Sequence, residues 1–281
     1  MASITAADIK RLREATGAGM TDCKNALVEA EGDFDKAVEQ LRIKGLKGVA
    51  KREGRAASNG LVAARLDGTT SGTMLELNCE TDFVAKGERF QQVADQVLSA
   101  ASMAAANDVA ALLEAQSGGT PVKDLLDQAN ATLGEKIEVR RVATFAGDHV
   151  GLYLHKTSPD LPPQVGVLVA LSGGTGDAAE AVAKDVAQHI AAFSPRFATR
   201  EQVGEDVVAK EREIAEATAR EEGKPEAALS RIVEGRVTGF FKENVLVEQA
   251  FAKDPKKSVG RVLEEAGLSV TDFARFRVGQ A

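Results

Sequence analysis

The residue types best suited to nucleophilic or metal chemistry are scarce in this sequence. Its two cysteines, Cys23 and Cys79, form no C-x-x-C pair, and its three histidines, His149, His155 and His189, have no H-x-x-x-H spacing. Such spacings mark many metal sites, and a G-x-S-x-G nucleophile motif is also missing. We therefore expect no enzyme active site, no metal and no cofactor. We expect both cysteines to be reduced and buried, and the protein to be cytoplasmic.

The glycine-rich run at residues 172–177, SGGTGD, is the only stretch that invites comparison with a phosphate-binding loop. A P-loop needs the pattern G-x-x-x-x-G-K-[ST], in which the lysine reaches the phosphates and the hydroxyl binds Mg²⁺. The run has neither of these residues after its glycines. The chain is thus not predicted to be a GTPase or to bind a nucleotide directly, and the run is predicted to be a turn.

Residues 79–87, CETDFVAKG, are the most informative segment. They lie between a predicted β-hairpin and a predicted helix, where a turn alone would suffice. Phe83 offers a large apolar surface beside the acid of Asp82, in a chain with one Tyr and no Trp. Two plainer interpretations are that Phe83 is a core residue and that Asp82 is a helix N-cap.

The elements around this segment follow one order twice. Alternating residues predict strands at 61–66 and 73–78 with a turn at 67–72, then a helix over 90–102 and a third strand at 137–143. A second pair of strands is predicted at 150–155 and 165–171, followed by a helix over 178–193. We predict an α+β core of two related hairpin-plus-helix subdomains.

Helical sequence precedes and follows this core. Three short amphipathic helices are predicted before residue 44, the second capped by Thr21 or Asp22 and the third with Ile43 on its inner face. Around the stop-and-start signal at 223–225, we predict an antiparallel helical hairpin. Its seam is predicted from Val203, Val207, Ile214 and Ala217 on one helix and Leu229, Ile232, Val233 and Val237 on the other.

The predicted domains are an N-terminal three-helix bundle with a basic linker at 1–55, a first core subdomain at 56–146, a second at 147–199 and 240–265, the inserted hairpin at 200–239, and a C-terminal tail at 266–281. A further helix is predicted over 258–266. The hairpin could mediate homodimerisation, pack on its own body or meet a partner, and the sequence leaves these alternatives open.

Composition and charge exclude several classes of function. The 281 residues carry a formal charge of −7, which argues against general DNA or RNA binding because phosphate contacts need a basic face. No run approaches the roughly 18 apolar residues that span a bilayer, so no membrane association is expected. The first residues lead directly into a polar helix pattern, so no signal peptide is expected.

Two contiguous motifs carry a resemblance to a known family. Residues 12–27, LREATGAGMTDCKNAL, and residues 76–86, ELNCETDFVAK, resemble the two signatures of elongation factor Ts. Further similarity runs through Tyr153 and His155, the strand at 165–171, residues 233–236, and Phe251 with Asp254 and Pro255. The resemblance covers essentially the whole chain.

This resemblance implies a guanine nucleotide exchange factor that binds the GTPase elongation factor Tu and promotes GDP release. It places Lys24 of the N-terminal module on the partner's GTPase domain, and His155 on a different domain. It places the segment Thr81–Val84 between two helices near the nucleotide, with Asp82 and Phe83 as the wedge. Phe251 and its loop are implied as a further contact.

One rival interpretation rests on the basic stretch at 44–55, which carries Lys44, Lys47, Lys51, Arg52 and Arg55. A ribosome- or RNA-associated structural protein could use these side chains on phosphates. A solvated linker or helix face is the plainer interpretation of the same residues. A second rival is an enzyme whose catalytic residues are dispersed along the sequence.

Overall fold

A computed structural model describes residues 4–174 and 176–280, apart from the side chains of residues 46, 47, 49, 50 and 51. The first three residues, on which the signal-peptide prediction depends, and Thr175 of the glycine run lie outside this description, as do the side chains of Lys47 and Lys51. Within these ranges, no helix is both long and apolar enough to cross a membrane.

The N-terminal module consists of three helices, α1 (Ala6–Thr16), α2 (Met20–Glu29) and α3 (Phe34–Arg52). Thr5 caps α1 in a capping box with Asp8, and Gly17 ends that helix in the left-handed conformation. The small core of the module contains Leu12, Cys23, Ala26, Leu27, Ala30, Ala37 and Leu41. This confirms the predicted inner face of α2, because the apolar residues recur at helical spacing.

Three details of this module were predicted wrongly. Thr21 or Asp22 was predicted to cap α2, but its N-cap is Gly19, which has no side chain to cap the helix. Asp22 instead pairs with Lys44 across the module. Ile43 is exposed rather than buried. Helix α3 continues to Arg52, so most of the predicted linker is helical. It packs closely on the core, since a Cβ on Gly45 would lie 2.5 Å from the Cβ of Ala131.

The first sheet has the strand order β1-β2-β5 and is antiparallel throughout. Its strands are β1 (Asn59–Asp67), β2 (Ser71–Cys79) and β5 (Glu138–Ala146), and the predicted hairpin is confirmed. The intervening elements are α4 (Asp82–Lys86), α5 (Glu88–Met103), α6 (Val109–Glu114), the small hairpin of β3 (Gln116–Ser117) and β4 (Thr120–Pro121), and α7 (Val122–Leu133). Helices α5 and α7 cover one face through Phe90, Val97 and Leu126.

The second sheet has the order β10-β7-β6, with β6 (His149–His155), β7 (Val165–Gly173) and β10 (Leu268–Arg277). Helix α8 (Gly176–Phe193) covers one face through Val186 and Ile190. Residues 266–281 were predicted to be a tail, but β10 pairs with β7 from Leu268 to Arg277. The prediction failed because charged residues such as Asp272 and Arg275 interrupt the apolar alternation of this edge strand.

The two sheets pack on each other through their remaining faces. The buried residues between them are Val62, Met74, Val150, Leu168 and Phe276. The layers are thus helices, sheet, sheet and helix, and the protein combines helices with antiparallel sheets, as expected of an α+β fold. Between α8 and β10 the chain adds β8 (Ala250–Phe251), β9 (Asp254–Ser258) and α11 (Val259–Glu265), the last confirming a predicted helix.

Helices α9 (Glu205–Glu221) and α10 (Glu226–Asn244) form the predicted helical hairpin, and Arg212 pairs with Glu234 across it. The buried seam contains Ala215, Val233 and Val237, joined by partly buried Val208 and Phe241. The predicted α9 seam is wrong at Ile214 and Ala217, which are exposed. Small alanines let the two helices approach, so the buried stripe follows Ala215 and Ala219 rather than the largest apolar residue.

Candidate functional site

The segment singled out in the sequence forms one short helix at the end of the first hairpin. Strand β2 ends at Cys79, and α4 begins at Asp82 after the N-cap Thr81, whose hydroxyl accepts the N–H of Val84 at 3.3 Å. Asp82 is therefore the first helical residue, and the N-cap interpretation of its role is wrong. Gly87 ends α4 and starts α5, which turns the chain back onto the sheet.

Helix α4 divides its side chains between the core and the solvent. Ala85 is buried in the core of the first sheet, and Val84 packs against that core while partly buried. Phe83 is 83 % exposed and is the most exposed large apolar side chain among the described residues. The interpretation of Phe83 as a core residue is thus wrong, and its ring stands free to contact another molecule.

A carboxylate from another part of the chain holds the start of α4. The Oε2 atom of Glu135 accepts the N–H groups of Glu80 and Thr81 at 3.1 and 3.0 Å. The Oε1 atom of Glu135 accepts the hydroxyl of Thr81 at 2.5 Å. These are charge-assisted bonds, which are stronger than bonds between neutral groups. The same hydroxyl accepts from Val84, so the chain of bonds runs from Glu135 into the first turn of α4.

A second carboxylate, that of Glu80, binds the backbone next to Glu135. Glu80 Oε1 accepts the N–H of Lys136 at 2.7 Å, and both carboxylate oxygens of Glu80 lie 3.2 Å from Arg55 Nη1. These bonds lower the pKa of Glu80, with the backbone bond from Lys136 as the largest cause. We call Glu80 and Glu135, with their bonds, the carboxylate clamp. It joins the end of β2 to the segment before β5.

Buried polar groups support the clamp from below. Asn59 Nδ2 donates to the carbonyl of Glu80 at 2.8 Å, and Asn78 Nδ2 donates to the carbonyl of Asn59 at 3.0 Å. The Cys79 thiol is fully buried and donates to the carbonyl of Thr81 at 3.1 Å. Burial, with a smaller contribution from Glu135, raises the pKa of this thiol to about 12, so it stays protonated. The predicted structural role of Cys79 fits this position.

The charges on α4 are paired along the helix. Lys86 Nζ lies 2.8 Å from Asp82 Oδ2, an i,i+4 ion pair. This hydrogen bond is the first cause that lowers the pKa of Asp82 and raises the pKa of Lys86, with a smaller contribution to Lys86 from Asp160. Both groups are thus charged at neutral pH. The exposed ring of Phe83 has a neutralised pair of charges beside it.

The remaining predicted contact residues lie on other elements. Lys24 is exposed on α2, and His155 is exposed at the end of β6, where its Nδ1 lies 3.1 Å from the hydroxyl of Tyr153. Across the described ranges, no hydrogen bond or ion pair joins either residue to Asp82 or Phe83. Lys24, His155 and Phe83 thus lie on three different elements, and each of their side chains is exposed.

Phe251 is the one predicted contact residue whose side chain is buried. It is 5 % exposed and packs in the core beside α8, with its ring centroid 5.9 Å from that of His189. Its ring supports the loop that follows, because the N–H of Ala252 donates to His189 Nδ1 at 3.2 Å. The neighbouring residues Ala252 and Lys253 are exposed, whereas the Phe251 ring is not, so a contact there cannot use that ring in this conformation.

The described residues show no separate chemical centre. They contain no group of three His, Cys, Asp or Glu side chains arranged to hold a metal ion. A cleft of about 480 Å³ lies between the N-terminal module and helices α5 and α7. It is lined by residues such as Leu41, Val93 and Leu125, and the residues of α4 do not line it.

Glu135 and Asn59 are the functional residues that sequence reasoning missed. Glu135 lies far from Thr81 along the chain, and its neighbours form no motif. Only the pairing of β2 with β5 brings the two segments together.

Aromatic side chains, Phe among them, are enriched in protein–protein interfaces, so the exposed ring of Phe83 on this braced helical turn is suited to contact with a protein. The family model described as Elongation factor TS matches residues 80–280. Elongation factor Ts of Acidothermus cellulolyticus is 63 % identical over 280 residues, covering 100 % of both chains. The proteins of the same name from Beutenbergia cavernae and Kineococcus radiotolerans are each 60 % identical, covering 99 % of this chain and 100 % of theirs. The chain belongs to the elongation factor Ts family.

Proposed function

We propose that this protein is a guanine nucleotide exchange factor that binds elongation factor Tu and accelerates release of its GDP during translation elongation. The observation that carries the proposal is the exposure of Phe83 on α4, within the family signature at residues 76–86. An exchange factor of this kind performs no covalent chemistry and needs no cofactor. It lowers the affinity of its partner for GDP, and GDP must in turn weaken its binding by the same factor.

The proposed mechanism is a wedge. A GTPase holds GDP through backbone amides around the phosphates and through Mg²⁺, so a partner can release GDP by displacing the elements that carry these groups. Phe83 is the displacing side chain, since burying one Phe yields about 1.5–3 kcal/mol. A tenfold acceleration needs about 1.4 kcal/mol, so one ring supplies about one or two decades. The remaining acceleration must come from a wider interface.

Asp82 has a secondary part in this proposal. Its carboxylate is already paired with Lys86, so a contact with the partner must compete with that ion pair. Exposed i,i+4 pairs are weak and easily exchanged, which lets Asp82 form new hydrogen bonds when the surface is covered. Thr81 and Val84 complete the contact segment by fixing the first turn of the helix.

The wider interface is proposed to include Lys24 on α2, His155 on β6, and the loop that follows Phe251. Support comes from the exposure of Lys24, His155, Ala252 and Lys253. The division into an N-terminal module, two related core subdomains and an inserted hairpin belongs to the same proposal. The proposed contacts lie on the N-terminal module and on both core subdomains, and contacts on several units are needed to reach the required total of binding energy.

The RNA-binding alternative receives no support from the basic stretch. Lys44 pairs with Asp22 at 2.6 Å, Arg52 Nη1 donates to the carbonyl of Asn130 at 3.1 Å, and Arg55 pairs with Glu80. These contacts hold α3 against its own module and against the core. The described basic side chains of this stretch thus have intramolecular roles that explain their presence.

The test is stopped-flow release of a fluorescent GDP analogue from elongation factor Tu. We expect strong acceleration by the wild type and a loss of about tenfold or more with Phe83→Ala, which removes about 1.4 kcal/mol or more. Phe193→Ala is the matched control, because Phe193 is also an exposed phenylalanine but lies at the end of α8. No acceleration by the wild type would refute the function. Equal rates for Phe83→Ala and the wild type would refute the wedge.

A further inference from the structure

Helix α4 is too short to hold its own conformation. It has five residues, and isolated helices below about 12 residues are marginal in water. Its direction, and with it the direction of the Phe83 ring, must be fixed by contacts outside the helix. The buried side chain of Ala85 fixes one point of it, and the carboxylate clamp fixes the start.

We propose that Glu135 is a positioning residue for nucleotide exchange, which presets the orientation of Phe83 by holding the N-cap of α4; this inference rests on the proposed function. Three bonds at the start of α4 end on the Glu135 carboxylate, from the N–H of Glu80, the N–H of Thr81 and the hydroxyl of Thr81. Strand β2 ends at Cys79, so these two N–H groups lie beyond its ladder. Glu135 supplies their hydrogen-bond acceptor.

The clamp has two halves that can be separated by substitution. Glu80 binds Arg55 and the N–H of Lys136 through its own carboxylate, so these bonds survive the loss of the Glu135 side chain. Glu135 itself belongs to no buried core cluster, and it is only partly buried. Removing its carboxylate therefore loosens the Thr81 end of the segment while the sheet and its core remain.

A loosened α4 changes one kinetic quantity in particular. If only a fraction of the molecules holds Phe83 in the binding orientation, the apparent affinity for the partner falls by that fraction. Saturating concentrations of elongation factor Tu bound to GDP then restore the maximal exchange rate per molecule of factor. A positioning role thus predicts a higher KM with an unchanged kcat. A globally destabilised variant would instead lose active protein and appear to lose kcat.

The experiment compares Glu135→Ala and Glu135→Gln with Glu138→Ala. Gln retains one oxygen that can accept both N–H groups, and its amide can donate to the Thr81 hydroxyl, so it is the conservative variant. Glu138 is the matched control, since it lies nearby on β5 and its recorded ion pair is with Lys136. GDP release is measured at a fixed, limiting concentration of the factor over a range of concentrations of elongation factor Tu bound to GDP, with circular dichroism as the check on folding.

A second measurement reports on α4 without the partner. The chain contains no Trp and one Tyr, so Phe83→Trp introduces a single tryptophan into α4, whose fluorescence can be excited selectively over that of Tyr153. The time-resolved anisotropy of this Trp is measured in Phe83→Trp alone and in Phe83→Trp combined with Glu135→Ala, Glu135→Gln or Glu138→Ala. If Glu135→Ala fails to fold, Thr81→Val takes its place in both measurements, since it removes the hydroxyl bond to Glu135 together with the N-cap bond from Val84.

We expect Glu135→Ala to raise KM about tenfold, equivalent to about 1.4 kcal/mol, with kcat unchanged and with greater local motion of Trp at position 83. Glu135→Gln should stay within about threefold of the wild type, a difference of less than about 1 kcal/mol. The inference is overturned if Glu135→Ala matches Glu138→Ala in both KM and anisotropy while Phe83→Ala slows exchange. If Phe83→Ala itself exchanges GDP at the wild-type rate, the proposed function fails first, and the positioning role falls with it.

Discussion

Replacing Glu76 by Gln tests whether one buried carboxylate holds the two sheets and the C-terminal strand together. Glu76 is fully buried on β2. Its Oε2 accepts Arg141 Nε at 2.7 Å and its Oε1 accepts the N–H of Gly279 at 2.9 Å. The Arg141 guanidinium also donates to the carbonyl of Arg277 at 3.0 Å and lies 4.6 Å from the ring centroid of Phe276.

The expected loss in the free energy of unfolding follows from the partners of Glu76 that the substitution leaves unpaired. Removing one partner of a buried ion pair costs about 3–5 kcal/mol, and the Arg141 side chain is 26 % exposed, so solvent favours the lower end. The NH₂ group of Gln also cannot accept a hydrogen bond, so either Arg141 Nε or the N–H of Gly279 loses its acceptor. We therefore expect Glu76→Gln to lower the free energy of unfolding by about 3 kcal/mol. With an unfolding entropy of about 2.1 cal/mol/K per residue, this lowers Tm by about 5 °C.

The assay is urea and thermal unfolding followed by circular dichroism. The matched control is Glu213→Gln, which breaks an exposed i,i+3 pair with Lys210 and should change stability by less than about 0.5 kcal/mol. Replacing both Glu76 and Arg141 by Met should recover part of the loss, because two well-packed apolar side chains leave no unpaired charge. A Glu76→Gln protein as stable as the Glu213→Gln protein would refute the reasoning.

Two further predictions concern the core beside α8. Phe251→Ala should cost about 3–5 kcal/mol of stability by opening a cavity, measured by urea unfolding, whereas Phe83→Ala should cost almost none; equal effects would contradict the buried position of Phe251. Burial is the first cause that lowers the pKa of His189, while its bond to Gln249 acts in the opposite direction. As pH falls, His189 is therefore protonated in the unfolded state before it is protonated in the folded state, so the free energy of unfolding should fall below about pH 6.5. His189→Gln should show a smaller change in the urea midpoint between about pH 7.5 and 5. Parallel pH profiles for the two proteins would contradict this.

Local patterns predicted much of this structure. The short apolar, β-rich runs in β1, β2, β6 and β7 predicted strands because these strands carry buried residues, and the 3–4 residue spacing in α2 and α5 predicted helices because each has one buried face. The segment at 79–87 was singled out because it combines an aromatic residue with charged residues where a short turn would suffice to connect the strand to the helix. Phe83 is exposed, as a contact residue must be, and its place between β2 and α5 was also predicted.

The errors arose where burial depends on partners distant in the sequence. Ile43 and Ile214 are apolar residues at helical spacing, yet each faces solvent because the neighbouring helix packs elsewhere. Glu135 could not be recognised, because a lone Glu acquires its role only when β5 pairs with β2. Phe251 was assigned as a contact from a family motif; its ring is buried, and a contact through the loop that follows it stays a prediction.

The pairing of β10 with β7 has a consequence for the order in which the chain acquires its structure during synthesis. The first sheet is complete once β5 has been made, at Ala146, and it can fold while the remainder is still being translated. The second sheet must wait, because its edge strand comprises Leu268–Arg277, and β7 meanwhile has one edge without a partner. An open apolar edge is an aggregation hazard. The nascent protein thus depends on β10, and on the bond from Gly279 to Glu76, to close the part of the core that β7 began about a hundred residues earlier.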